Sequence, residues 1–143
     1  MITRSKYFNI PELVCPHVYQ KFGERAWQFI DARLIYNLDT IRERLNKPIY
    51  VNIGDLTQRG LRCIQCEMVK NKADKGEVYV SAHLLGKAVD FNVRGTEADV
   101  VRLWIAKNGH LLPYSARIES GVTWVHMDVY ETDTDKKIYF FKP

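Results

Sequence analysis

The chain has 143 residues, 46% hydrophobic and 27% charged, a composition that predicts one soluble globular domain over 1–143 with its own buried core. Its 21 Lys and Arg against 17 Asp and Glu leave a net charge of +4, scattered rather than gathered into the basic stripe with interleaved aromatics that single-stranded nucleic acid requires. No apolar run nears the roughly 20 residues of a membrane helix, and "MITRSKYFNIPELV" lacks the apolar core of a secretory signal. The expectation is a monomer that is cytoplasmic as synthesised, with neither nucleic acid nor membrane as partner.

In chain order, "PELVCPHVYQKFG" predicts a short helical segment closed by Gly23. The clearest helix runs from about Asp31 to Asn46. Ile30, Leu34, Leu38, Ile41 and Leu45 step by four, four, three and four, which sets them on one face, while Arg33, Asp39, Arg42 and Glu43 fill the other. "IYVNI" (Ile49–Ile53) predicts a strand, and Gly54 to Gly76 reads as irregular, with "KNKADKG" an exposed loop. "EVYVS" and "AVDFNV" predict two further strands. Thr96 is expected to cap a helix with Asp99 in the acidic position of a capping box, and Asn108-Gly109 to close it. "ARIES", "TWVHMDVY" and "KKIYFF" alternate as strands, with "SG" and "TDTDKK" as turns. Helices come first and strands dominate later, so the expected fold class is α+β, N-terminal helices packed on a mainly antiparallel sheet.

Two stretches carry chemistry. "SAHLLGKAVDF" (Ser81–Phe91) sets His83 and Asp90 seven positions apart with Gly86 between them. A catalytic zinc site takes three protein ligands, and a glycine lets the backbone turn so that a loop residue and a strand residue face one point. On these residues alone two readings stand: two thirds of a metal site, or a polar turn before a strand. "WVHMD" offers the third ligand. In a strand Trp124, His126 and Asp128 share one face and Val125, Met127 and Val129 the other, and a carboxylate two residues from a ligating histidine suits it as a hydrogen-bond partner. Trp124 would then line a substrate cleft, whereas Trp27 and Trp104 read as core and rim. His110 is most simply a capping or loop residue.

Cys15, Cys63 and Cys66 cannot all pair within one chain, and reduced thiols are expected. "CIQC" has metal-ligand or redox spacing, and Cys15-Pro16-His17 adds two ligands, enough for a Cys3His structural zinc site that pins the N-terminal segment to the central loop. Small buried thiols are the alternative. A thioredoxin-like role is disfavoured, because the motif neither follows a strand of a βαβ unit nor opens a clear helix.

"SAHLLGKAVDF" resembles the S-x-H-x-x-G-x-A-x-D signature of the M15 zinc peptidases, the family of D-alanyl-D-alanine carboxypeptidases and phage endolysins, to whose metal site the hedgehog signalling domain is related. "WVHMD" resembles that family's second motif, in which an aromatic or apolar residue precedes H-x-D. "RGLR" (Arg59–Arg62) lies where the family carries S-G-Y-R, so the likeness covers the chain from about Ile49 to Tyr130. It implies a zinc ion held by His83, Asp90 and His126, with Arg62 holding the carbonyl or carboxylate of the substrate. The implied reaction is hydrolysis of a D-amino-acid amide bond in a peptidoglycan stem peptide. Zinc activates water and polarises the carbonyl, and arginine offers fixed donors to the developing oxyanion. Ser81 is expected to brace its loop rather than act as a nucleophile.

One position departs from the pattern. Many family members carry a glutamate general base three residues before the last histidine ligand, where this chain has Thr123. The nearest carboxylates are Asp128 and Glu119. Glu119 faces the site if Ala116 to Ser120 pairs with the His126 strand through the "SG" turn; otherwise it is a surface carboxylate paired with Arg117 or a lysine. The implied biology is a phage or prophage lysin that reaches the cell wall once the membrane is breached. The alternative is a zinc-binding module without turnover that binds wall fragments or a protein partner.

Overall fold

A computed structural model describes residues 1–143. A single 3-10 turn at Ile10–Glu12 leads into α1 (Pro16–Phe22), whose opening proline occupies a position where no amide donor is needed. Gly23, at φ +53°, ends α1 and starts a 3-10 run to Phe29 that buries Ala26 and Trp27. α2 (Ala32–Leu45) has the expected limits. Asp31 caps it by accepting from the Arg33 amide at 2.9 Å, and Asn46 in the left-handed region stops it.

The apolar stripe of α2 is buried as its spacing predicts, but its polar face is not wholly solvated. Asp39 is buried, accepting hydrogen bonds from Ser5 Oγ and the Lys6 amide, and so ties the first residues of the chain to the helix. Asn37 exchanges two 3.0 Å bonds with the backbone of Tyr114, which fixes the segment entering the third strand.

Five strands form one sheet: β1 (Ile49–Tyr50), β2 (Ala88–Val93), β3 (Ala116–Glu119), β4 (Val125–Asp128) and β5 (Ile138–Phe141), in the order β1-β2-β4-β3-β5. β1–β2, β2–β4 and β4–β3 are antiparallel, while β5 runs parallel to β3. With α3 (Glu67–Asp74) and α4 (Ala98–Asn108) the chain is α+β with a mainly antiparallel sheet. Register sorts the side chains. Val89 faces Met127 and Phe91 faces Val125, so one sheet surface joins Leu34, Leu38, Ile41 and Trp27 in a single apolar cluster. Each such side chain contributes roughly 1.5–3 kcal/mol by leaving water. On the opposite surface Asp90 faces His126 and Arg117 faces Asp128. No helix is long and apolar enough to cross a membrane.

Five local expectations are corrected. Only Ile49–Tyr50 of "IYVNI" pairs with a neighbour in the sheet, because Ile53 turns back to bridge Leu56. "EVYVS" is not a strand: Val78 and Val80 point into solvent and no strand pairs with its backbone, whose Val80 carbonyl instead accepts from Tyr130 Oη at 2.9 Å. Much of "KNKADKG" belongs to α3, which is docked by Val69. Cys66 caps α3, so "CIQC" does open a helix. The cap of α4 is Glu97 rather than Thr96, whose hydroxyl is engaged by Lys47 and Arg94. Asp99 instead pairs with Arg102, a buried guanidinium that also donates to the carbonyls of Val122 and Trp124 at 2.7 Å and so anchors the β3–β4 turn.

Candidate metal centre

The polar surface of the sheet is built around the Asp90–His126 cross-strand pair. His83 reaches it from the loop before β2, through two devices. Gly86, at φ +66°, lies so close to the end of the preceding 3-10 run that a Cβ would stand 1.8 Å from the Phe29 carbonyl oxygen; no other residue fits. Ser81 Oγ accepts from the His83 amide at 3.2 Å, which is a bracing role. His83, Asp90 and His126 are all buried, and one ligand atom of each lies within 4.8 Å of the others.

Hydrogen bonds orient both rings. His83 Nδ1 is 2.9 Å from the Gly60 carbonyl oxygen, which can only accept, so Nε2 is the atom that faces Asp90 Oδ2 at 3.3 Å. His126 Nδ1 meets Asp90 Oδ1 at 2.8 Å, and its Nε2 meets Asp128 Oδ2 at 2.8 Å. Arg117 closes the chain of contacts, donating from Nε and Nη2 to the two oxygens of Asp128 at 2.7 and 2.9 Å. Burial works against the imidazolium of His126, but the bonds to Asp128 and then Asp90 outweigh it and lift its pKa to about 9. Burial also opposes the Asp90 carboxylate, yet His126 and His83 hold it well below the usual carboxylate range. Once His126 gives up its second ring proton, two imidazoles and a carboxylate, with one ring braced by a buried carboxylate and the other by a carbonyl, are a donor set that could hold a divalent metal ion.

A cleft of about 460 Å³ opens beside Asp90, walled by Gln58, Arg59, Arg62, Asn92, Thr123 and Trp124. Arg62 is buried and locked, donating from Nε to Gln58 O at 2.6 Å, from Nη1 to Tyr79 Oη at 3.0 Å and from Nη2 to Asp90 Oδ2 at 3.4 Å. Trp124 borders the cleft as expected, and Thr123 is there too. β3 does pair with β4, and alternation from Arg117 sets Glu119 on the His126 side of the sheet. Its carboxylate is nonetheless not among the ligand atoms that gather there, nor is Asp128, which serves His126 instead.

Two cleft and centre residues were not singled out from sequence. Sequence alone offers Arg117 only as a partner for Glu119, since the register that brings it to Asp128 is a tertiary fact. Arg59 appeared only inside "RGLR"; it is a desolvated guanidinium bonded to Asn92 Oδ1 at 2.5 Å and to the Val51 carbonyl at 3.0 Å.

A second group is assembled from three places in the chain. Cys15, His17, Cys63 and Cys66 bring their sulfurs and a ring nitrogen within 4.8 Å of one another, and could hold a metal ion. His17 Nδ1 is 3.6 Å from Cys63 Sγ and 3.9 Å from Cys66 Sγ. Burial pushes the Cys66 thiol up to about 12 and raises that of Cys15, so both stay protonated unless a cation displaces the proton. No protein-family model, curated protein or solved structure matches the chain.

Proposed function

We propose that the chain is a zinc-dependent peptidase of the M15 type that hydrolyses a D-amino-acid amide bond in peptidoglycan stem peptides. The observation that carries this reading is the convergence of His83, Asp90 and His126 beside a cleft lined by Arg62 and Trp124. Two imidazoles favour zinc over magnesium or calcium, which prefer all-oxygen shells. When bound, zinc supplies Lewis acidity, acidifying a water toward neutral pH and polarising an amide carbonyl.

The chain's own residues do the rest. Asp128, clamped by Arg117, fixes the ring plane of His126, and Gly60 O fixes that of His83. Arg62 is held rigidly at the cleft wall, where its donors meet negative charge growing on the carbonyl oxygen or a terminal carboxylate. Trp124 offers an apolar wall to the side chain of the peptide. Glu119 is the carboxylate on the His126 side of the sheet that accepts the proton of the attacking water. The setting is a phage or prophage lysin acting on the wall after its release.

Digestion of purified peptidoglycan, with mass analysis of the released peptides, tests this. The native protein is expected to release D-alanine or cut a cross-bridge, and His83→Ala to do neither. Glu119→Gln should lower the rate by on the order of 10²-fold or more; full activity in that variant would move the base elsewhere. A second reading rests on Thr123, which cannot take a proton from water. In it the chain binds wall fragments or a protein partner through a zinc site without turnover, and a zinc-loaded native protein that digests nothing would favour it.

A further inference from the structure

The geometry points to a second, structural zinc ion held by Cys15, His17, Cys63 and Cys66, which clasps the N-terminal segment to the strip Gly60–Cys66 and so fixes the wall of the cleft. Three thiolates and one imidazole are a closed four-ligand set with no place for substrate. Ligands at about 2.3 Å (sulfur) and about 2.1 Å (nitrogen) on tetrahedral axes stand about 3.6 Å apart. The two sulfur–nitrogen separations here are 3.6 and 3.9 Å. Backbone amides already aim at the sulfurs, Gln65 N at Cys63 Sγ and Cys63 N at Cys66 Sγ, both at 3.4 Å. Such bonds stabilise thiolate, and they offset the single negative charge that three thiolates leave on a dication. Binding releases three thiol protons to solvent and forms four metal–ligand bonds, with no change of oxidation state.

A disulfide accounts for less of the arrangement. It would use two of the three sulfurs and leave His17 Nδ1 pointing at the site for no reason. The sequence separation between Cys15 and Cys66 also makes a cross-link effective, because closing a long loop removes much freedom from the unfolded chain.

The clasp sits where its consequences reach furthest. Cys15 N donates to Leu61 O at 2.9 Å and Leu61 N to Leu13 O at 2.8 Å, so the N-terminal segment is laced to the strip before any metal binds. Gly60 lies so close that a Cβ would stand 2.1 Å from Leu13 O. On its other side the same strip gives the Gly60 carbonyl that orients His83, and its Arg62 amide donates to His83 O at 3.1 Å. Arg62 is the immediate neighbour of Cys63. The zinc site stands independently of the peptidase reading; only its effect on the cleft rests on that reading.

Cobalt(II) tests it. The native chain, stripped of metal and loaded with cobalt, should bind two ions and show the intense near-ultraviolet sulfur-to-cobalt absorption that a two-histidine, one-aspartate site cannot produce. His83→Ala should bind one ion and keep the band. The double variant His17→Ala, Cys63→Ser alters ligands at the less buried side of the cluster; it should keep the native circular dichroism, bind one ion and lose the band. It should also bind zinc at the His83 site about 10-fold more weakly in chelator competition. A native chain without the band overturns the site, as does a band that survives the double variant. Unchanged affinity at the His83 site overturns the clasp's action on the cleft. A band in a protein that digests no peptidoglycan leaves the clasp standing and removes the peptidase reading.

Discussion

His126 shows how much depends on a single side chain. Its ring is bonded at both nitrogens to carboxylates, and the Phe141 ring stands edge-on 5.8 Å away. Asp128 completes the arrangement, fully buried and held in turn by Arg117. Asp128→Asn keeps the shape but weakens the acceptor, and is expected to lower zinc affinity at the His83 site by roughly 10–100-fold in chelator competition. Asp128→Ala goes further and strands both His126 and Arg117, so a stability loss of about 3 kcal/mol is expected in urea unfolding. "WVHMD" disclosed His126 and Asp128 because strand alternation alone puts them on one face. Arg117 stayed hidden because its role exists only through the register of β3 on β4, which no spacing within one segment encodes.

At the scale of elements, legibility tracked the presence of a continuous apolar stripe. α2 was readable from five residues, and β2 and β4 from alternation. α3 was not, since it docks through Val69 alone and most of its remaining positions are polar. "EVYVS" erred the other way. Its alternation is real, with Tyr79 turned inward to Arg62, but a strand also needs a hydrogen-bonded neighbour, and propensity cannot supply one. The start of α2 makes a pH prediction. The Asp31 side chain, mostly shielded, is held down to about 2, chiefly by its hydrogen bond from Arg33 against the opposing effect of burial, then by Lys87. Its unfolded pKa is about 3.9, so its contribution is complete above that value and fades as pH falls through about 2. Urea midpoints of the native chain should therefore drop more steeply below pH ~4 than those of Asp31→Asn. Asp31 N also donates to Gly86 O at 2.9 Å, which links the helix start to the His83 loop. Gly86→Ala would meet both the Phe29 carbonyl and an unfavourable φ, and should cost roughly 2–4 kcal/mol, read as a lowered melting temperature.

Across the whole molecule, two candidate metal groups lie on either side of one strip of backbone, so metal content and stability should move together. A site filled at 100 times its dissociation constant adds about 2.7 kcal/mol, equivalent to roughly 10 °C in a domain of this size. Calorimetry with and without a strong chelator should show a shift of that order, and no shift would mean that neither group binds metal in solution. The sheet itself sets an order of events. β5 lies at the edge of the sheet and pairs with β3 alone, on the side away from β4. An edge strand held by one neighbour is the first to come away. In deuterium exchange, the amides of Ala116 and Ser120, which donate to Lys137 and Phe141, should therefore open by a sub-global fluctuation of lower energy than those shared by β2 and β4. Each such opening lifts Phe141 from His126 and Arg117, so that the centre is uncovered far more often than the fold is lost.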